Sequence, residues 1–156
     1  MALHFGFALT HRILAGWFTG LVTNEELTNF YRMATLMAEA LDPLAGITDF
    51  SGGEVLEVTP ETIRTLASFP PIIPQRNRPR VVVASTDSTF EMAQNFKLEG
   101  GLTRPNFHIV RTIQEAWAII GVQEPEFSPI REALEKPDRL KFRHDTGRKG
   151  AAGGKK

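Results

Sequence analysis

The run Val81-Val82-Val83-Ala84 constrains this chain more than any other stretch. It offers no polar face to solvent, so it has to be buried on both sides, as an inner strand of a parallel sheet is. Thr86-Asp87-Ser88 then caps a helix whose apolar side is Phe90, Met92, Ala93 and Phe96, and Gly100-Gly101 closes it. Residues 106–110 read as another short strand. Thr112-Ile113-Gln114-Glu115 has the form of a capping box and is followed by Ala116, Trp117 and Ile120, with Gly121 at the end. Strand, helix, strand and helix in that order, joined by right-handed crossovers, give parallel neighbours.

Upstream, residues 3–9 and 13–22 are two apolar runs joined by Thr10-His11-Arg12, which suggests an antiparallel hairpin. Thr23-Asn24-Glu25-Glu26 is a second capping box. Leu27, Phe30, Tyr31, Ala34, Met37, Ala38 and Leu41 follow at helical spacing and are expected to face the core until Asp42-Pro43 stops the helix. Residues 45–50 form a short strand that Ser51-Gly52-Gly53 is expected to break, and Thr59-Pro60-Glu61 starts a further helix with Thr59 as N-cap. Ser128-Pro129 is expected to cap a last short helix through Leu134. The fold class is therefore α/β: a mixed β-sheet of about five strands with helices packed against it.

Composition limits the chemistry. The chain has 156 residues, enough for one domain with a real core, and no cysteine, so disulfides, thiolate metal sites and cysteine nucleophiles are excluded. The N-terminal apolar stretch is broken by His4, His11 and Arg12 and lacks a signal-peptide pattern, so a cytoplasmic location is expected, with no membrane span. Net charge is zero but unevenly spread. From Lys136 onward eight Lys/Arg face two Asp/Glu, whereas residues 1–135 hold ten Lys/Arg and sixteen Asp/Glu. Residues 137–156 have the composition of a disordered basic tail, and the acidic body gives no matching face for nucleic acid.

No GxSxG elbow, GxGxxG turn or Walker A sequence is present, and His4, His11, His108 and His144 have no ligand spacing, so no metal or cofactor is expected. Asp49, Glu54, Glu57 and Glu61 could supply acid/base pairs but lack the spacing of a cation loop, and a solvated loop is the expected reading. Arg76, Arg78 and Arg80, in a proline-rich connector, could bind an anion; solvated side chains are expected instead. Eleven phenylalanines with Trp17 and Trp117 leave room for a carrier of a small apolar ligand between helices and sheet. That reading calls for a cavity above roughly 300 Å³.

The order of these motifs resembles the SpoIIAA-like group of the STAS superfamily, the sulphate-transporter and anti-sigma-factor-antagonist domains. The matching residues are Gly20, Thr23, Glu25 and Glu26, then Asp49, Ser51 and Gly52, then Thr59-Pro60-Glu61. Further on they are Val81 to Val83, Asp87, Phe90, Met92, Ala93 and Glu115-Ala116-Trp117. The resemblance covers about residues 3–121, leaving residues 122–136 as a C-terminal extension. It implies a bacterial, non-enzymatic regulatory module that binds a protein partner, such as a kinase-type regulator, through residues 49–63. In anti-sigma antagonists a phosphorylatable hydroxyl sits at this strand-to-helix turn. Here Glu57-Val58-Thr59-Pro60 falls there, with proline where glycine is expected, so the motif is degenerate. Thr59, Ser51, Asp49 and Glu57 are the candidate phosphorylation or contact residues. A homodimer through exposed apolar residues of the N-terminal hairpin is a further expectation.

Overall fold

A computed structural model describes residues 2–135, apart from the side chains of Ala2, Glu54 and Val55; the basic tail and His144 lie outside the described residues. The fold is α/β, with helices packed on a mixed six-stranded sheet ordered β5-β4-β3-β2-β1-β6. The extra strand over the five expected is a two-residue piece at the edge.

Strands β1 (Ala2–Ala8) and β2 (Ile13–Thr23) form the expected antiparallel hairpin, with Phe7 opposite Leu14. Helix α1 (Asn24–Leu41) starts at the expected box: Thr23 Oγ accepts the Glu26 N–H, and Glu26 Oε1 accepts the Thr23 N–H, both at 3.2 Å. Leu27, Phe30, Tyr31, Ala34, Ala38 and Leu41 are buried, as the periodicity requires. The helix ends at Asp42, in the left-handed region at φ 50°. Arg12, in the hairpin turn, is left-handed too, at φ 56°. The two are tied together: Arg12 Nη2 donates to Asp42 Oδ2 at 2.7 Å and Arg78 Nη1 donates to Oδ1 at 2.6 Å. The hydrogen bond from Arg78, together with that from Arg12, holds the Asp42 carboxyl below the usual carboxylate range against the opposing effect of its partial burial.

Strand β3 (Ala45–Glu57) runs parallel to β2 and corrects the sequence reading. Ser51-Gly52-Gly53 does not break the strand. The segment stays paired with β2 through two register shifts, at Trp17/Thr19 and Gly20/Leu21. A bulge absorbs the irregularity that glycine was expected to turn into a loop end.

Helix α2 (Pro60–Ala67), β4 (Arg80–Val83), α3 (Asp87–Gly100), β5 (Phe107–Val110) and α4 (Ile113–Ile120) complete the alternation. All four residues of β4 are buried, and it pairs parallel to β3 and β5. Strands β2 to β5 are laid down successively in one direction, so right-handed crossovers place α1, α2 and α3 on one face of the sheet. The core on that face joins Phe18, Phe30, Phe50, Ile63 and Met92. Helix α4 and Phe127 cover the other face, over Ile13, Ile47, Val81 and Val83.

Strand β6 (Ser128–Pro129) pairs antiparallel with β1 and leads into α5 (Ile130–Leu134). The short helix runs through Leu134 as expected, but its N-cap is Pro129, which has no side-chain acceptor, and Ser128 stands one residue earlier, paired with Phe7 in the sheet. Phe7, Ala8, Ile13, Leu14, Ala15 and Phe18 of the hairpin are buried within the chain, Leu21 is exposed, and β6 pairs with Gly6 and Phe7 at the free edge of β1. No helix among the described residues is long and apolar enough to cross a membrane.

Candidate functional site

The four residues proposed from sequence fall into two separate pairs along β3. Asp49 follows Ile47 by two positions, so alternation turns it to the α4 face. Its Oδ1 accepts both the Ser51 backbone N–H, at 2.8 Å, and the Ser51 hydroxyl, at 2.6 Å. Glu57 and Thr59 lie at the far end of the strand, and both are exposed. Six residues of extended chain separate Ser51 from Glu57, roughly 20 Å at strand rise. One surface cannot present Asp49, Ser51, Glu57 and Thr59 to the same small group.

Thr59 is the N-cap its sequence suggests. Its Oγ accepts the Thr62 N–H at 3.4 Å, and its own N–H donates to Asn24 Oδ1 at 2.8 Å, which ties the start of α2 to the start of α1. Thr59→Ala removes one cap and leaves the Asn24 bond, so a loss of about 1 kcal/mol in urea unfolding is expected, with Thr59→Asn close to wild type. An equal loss in both variants would show that Thr59 acts through something other than its cap.

Among the described side chains, Asp49, Glu57 and Glu61 form no common site. Glu61 is exposed and lies 3.8 Å from Arg64, and no group of three or more metal-ligating side chains occurs among the described residues. His4 stacks on Trp17, and His108 Nε2 hydrogen-bonds Asn106 Oδ1 at 2.7 Å. Burial, with Lys97 adding to it, pushes the His108 imidazole below its ordinary value. These contacts mark structural histidines.

The structure gathers its chemistry elsewhere, in a cavity of about 110 Å³ between the helix layer and the sheet. Phe30 and Tyr31 of α1, Ile63 and Leu66 of α2, and Met92 and Phe96 of α3 form its roof; Phe5, Gly16, Phe50, Val82 and Phe107 lie on the sheet side. The floor depends on Gly16, where a Cβ would come within 2.5 Å of Phe30 Cε1. Glycine lets the Phe30 ring approach the sheet between Phe5, at 5.6 Å, and Phe18, at 5.4 Å between ring centroids. The cavity is smaller than the 300 Å³ or so expected of a carrier site. Nor do the tryptophans line it: Trp17 and Trp117 pack on the opposite face of the sheet.

Two buried guanidinium groups stand in this wall. Arg104 is only 3% exposed. It donates through Nη1 to Ala67 O at 2.9 Å and through Nη2 to Phe69 O at 3.0 Å and Tyr31 Oη at 2.6 Å. Its Cζ lies 4.5 Å from the centre of the Phe96 ring. The Tyr31 hydroxyl in turn donates a hydrogen bond to Pro70 O at 2.7 Å. Burial raises the Tyr31 phenol above its ordinary value, opposed by the nearby Arg104 charge.

Arg80 is different. It is 9% exposed and donates from Nη2 to Gln75 O at 2.8 Å, while its buried Nε and Nη1 have no partner. Burial and the neighbouring Arg104 charge both lower its proton affinity. The three arginines of the connector thus part company. Arg76 is exposed, Arg78 is bound to Asp42, and Arg80 opens β4 with its side chain in the cavity wall. Alternation along β4 explains this, because Arg80 and Val82 share the helix-covered face while Val81 and Val83 share the other.

No protein-family model, curated protein or solved structure matches this chain. The resemblance to STAS-like domains rests on the order of the sequence motifs alone, and the cavity has to be interpreted from its own chemistry.

Proposed function

We propose that this protein binds a compact, largely apolar small molecule in the cavity under α1, α2 and α3. The observation that carries this reading is the cavity itself, about 110 Å³ walled mainly by Phe, Leu, Ile and Met. Such a space loses packing contacts that native interiors normally make, a cost a ligand would offset. Apolar cavities of about 150 Å³ stay dry and admit benzene. At about 110 Å³ the space is smaller than that, so the occupant is no larger than benzene and not a long-chain lipid.

The alternative drawn from the family resemblance is a non-enzymatic protein-interaction module switched at Thr59 or Ser51. The exposed Thr59 at the start of α2 favours it, because a phosphate there would gain from the free helix N–H groups. Against it, the Thr59 hydroxyl is already engaged as a cap, and Ser51 lies far along β3. The cavity reading has the stronger physical motive.

Titration with benzene, followed by methyl NMR, tests it. Saturable shifts are expected at Met92, Ile63 and Leu66, with the Leu36 methyls on the outer face of α1 unmoved. Uniform small shifts across surface and interior methyls would reject it.

A further inference from the structure

We infer that the free edge of β1 at residues 3–5 is a docking site for this chain's own basic segment, with residues 140–142 adding as a further antiparallel strand. The inference is independent of the cavity being a ligand site.

Three observations carry it. First, the edge is unguarded. Strand β6 pairs with β1 at Gly6 and Phe7, and among the described residues nothing pairs with Leu3, His4 or Phe5 on that side. Exposed edges are normally blunted by charge, proline or a bulge. Leu3-His4-Phe5 holds no Asp, Glu, Lys, Arg or Pro, and β1 pairs with β2 in unbroken register. Second, apolar surface borders the edge. Phe5 stacks on Phe30 at 5.6 Å between ring centroids, and Met37 packs in one cluster with Phe7. Met33 lies between Phe30 and Met37 on α1 and is 42% exposed. Third, residues 136 onward start beside this edge, because Ile130 and Ala133 of α5 pack with Phe7. Phe5 is two residues further along β1, roughly 7 Å at strand rise. The five residues 136–140 can span up to about 17 Å, so the reach is ample.

The sequence beyond residue 135 supplies the strand. Arg139-Leu140-Lys141-Phe142-Arg143 alternates basic and apolar residues, the pattern of a half-buried strand. Resuming the direction of β6, it sets Leu140 opposite Phe5 and Phe142 opposite Leu3. Both then share the α1 face of the sheet with Leu3 and Phe5, and Leu140 reaches Met33. Lys141, opposite His4, and the flanking arginines take the other face, where Phe127 packs against Gly6 beside the exposed Glu126. Charge favours the same union. Eight Lys/Arg and two Asp/Glu from Lys136 onward meet a body of ten Lys/Arg and sixteen Asp/Glu. A second copy pairing β1 with β1 would join two uncharged edges and leave that charge difference unused.

Hydrogen exchange and methyl NOEs on the full chain test it, with wild type set against the double variant Leu140→Ser/Phe142→Ser. Wild type is expected to show an NOE between the Leu140 and Met33 methyls. In the double variant, the outward-facing amides of residues 3–5 should exchange about 10-fold faster, the worth of one hydrogen bond. The Val81–Val83 amides, deep in the sheet, should keep their rates. Equal exchange of residues 3–5 in both proteins, or no Leu140–Met33 NOE in wild type, overturns the inference. A sample mixing ¹³C-labelled with unlabelled protein separates the sources of the strand. An NOE found only between differently labelled copies shows a second molecule on the edge and overturns docking by the chain's own segment.

Discussion

Arg104→Met is expected to destabilise the protein by about 3 kcal/mol or more, read as a lower urea midpoint at unchanged slope. Methionine can replace the volume of the arginine stem but none of its donors. The Ala67 and Phe69 carbonyls at the end of α2 would lose their acceptor role, as would the Tyr31 oxygen. Helix ends depend on such partners when their own ladder runs out. The guanidinium also lies against Phe96 of α3, so one side chain joins α1, the end of α2 and α3. Arg104→Lys keeps the charge and loses the planar fork, and should recover only a minor part of the loss. Full recovery by lysine would mean that charge alone, and not the set of hydrogen bonds, holds these helices.

Gly52→Ala has the second largest expected effect, about 2 kcal/mol of destabilisation in the same assay. An added Cβ would lie 2.8 Å from the Phe18 carbonyl oxygen and 3.3 Å from Thr19 Cγ2. The obstacle is backbone in the neighbouring strand, which cannot turn aside as a side chain would. Relief would have to come from the bulge where β2 and β3 change register between Trp17 and Thr19. Gly53→Ala is the control: its nearest contacts are 3.3 Å, and it should cost clearly less. Equal costs would show that glycine is needed here for chain flexibility and not for close approach.

The architecture was legible because its signals are local. Three Thr-led caps, at Thr23, Thr86 and Thr112, lie where backbone N–H groups need acceptors, and each makes a capping box. The Val81–Val83 run could only be an inner strand, and it is paired on both edges. The length of β3 was not legible. Ser-Gly-Gly reads as a turn, and only the parallel partner β2 shows that the same residues form a bulge in a continuing strand. Ser128 misled for a similar reason, since its pairing with Phe7 is more than a hundred residues away in sequence.

The cavity was half legible. Phenylalanine content pointed to an apolar interior, but which aromatics share a face depends on the sheet. Trp17 and Trp117 lie on the far side from Phe30 and Phe96. Arg80 carried a usable signal, its two-residue spacing from Val82 at the start of a buried strand. That signal was masked by Arg76 and Arg78, which make it look like part of a solvated run. Arg104 gave no such signal. It follows a 3₁₀ turn and is drawn inward by carbonyls that only tertiary packing brings together.

The most direct measurement is an isotope-filtered NOE experiment on the protein saturated with ¹³C-benzene. The account predicts NOEs from the ring protons to Met92, Phe30 and Phe96, which line the cavity. NOEs confined to exposed side chains, or no NOE at all, would contradict it.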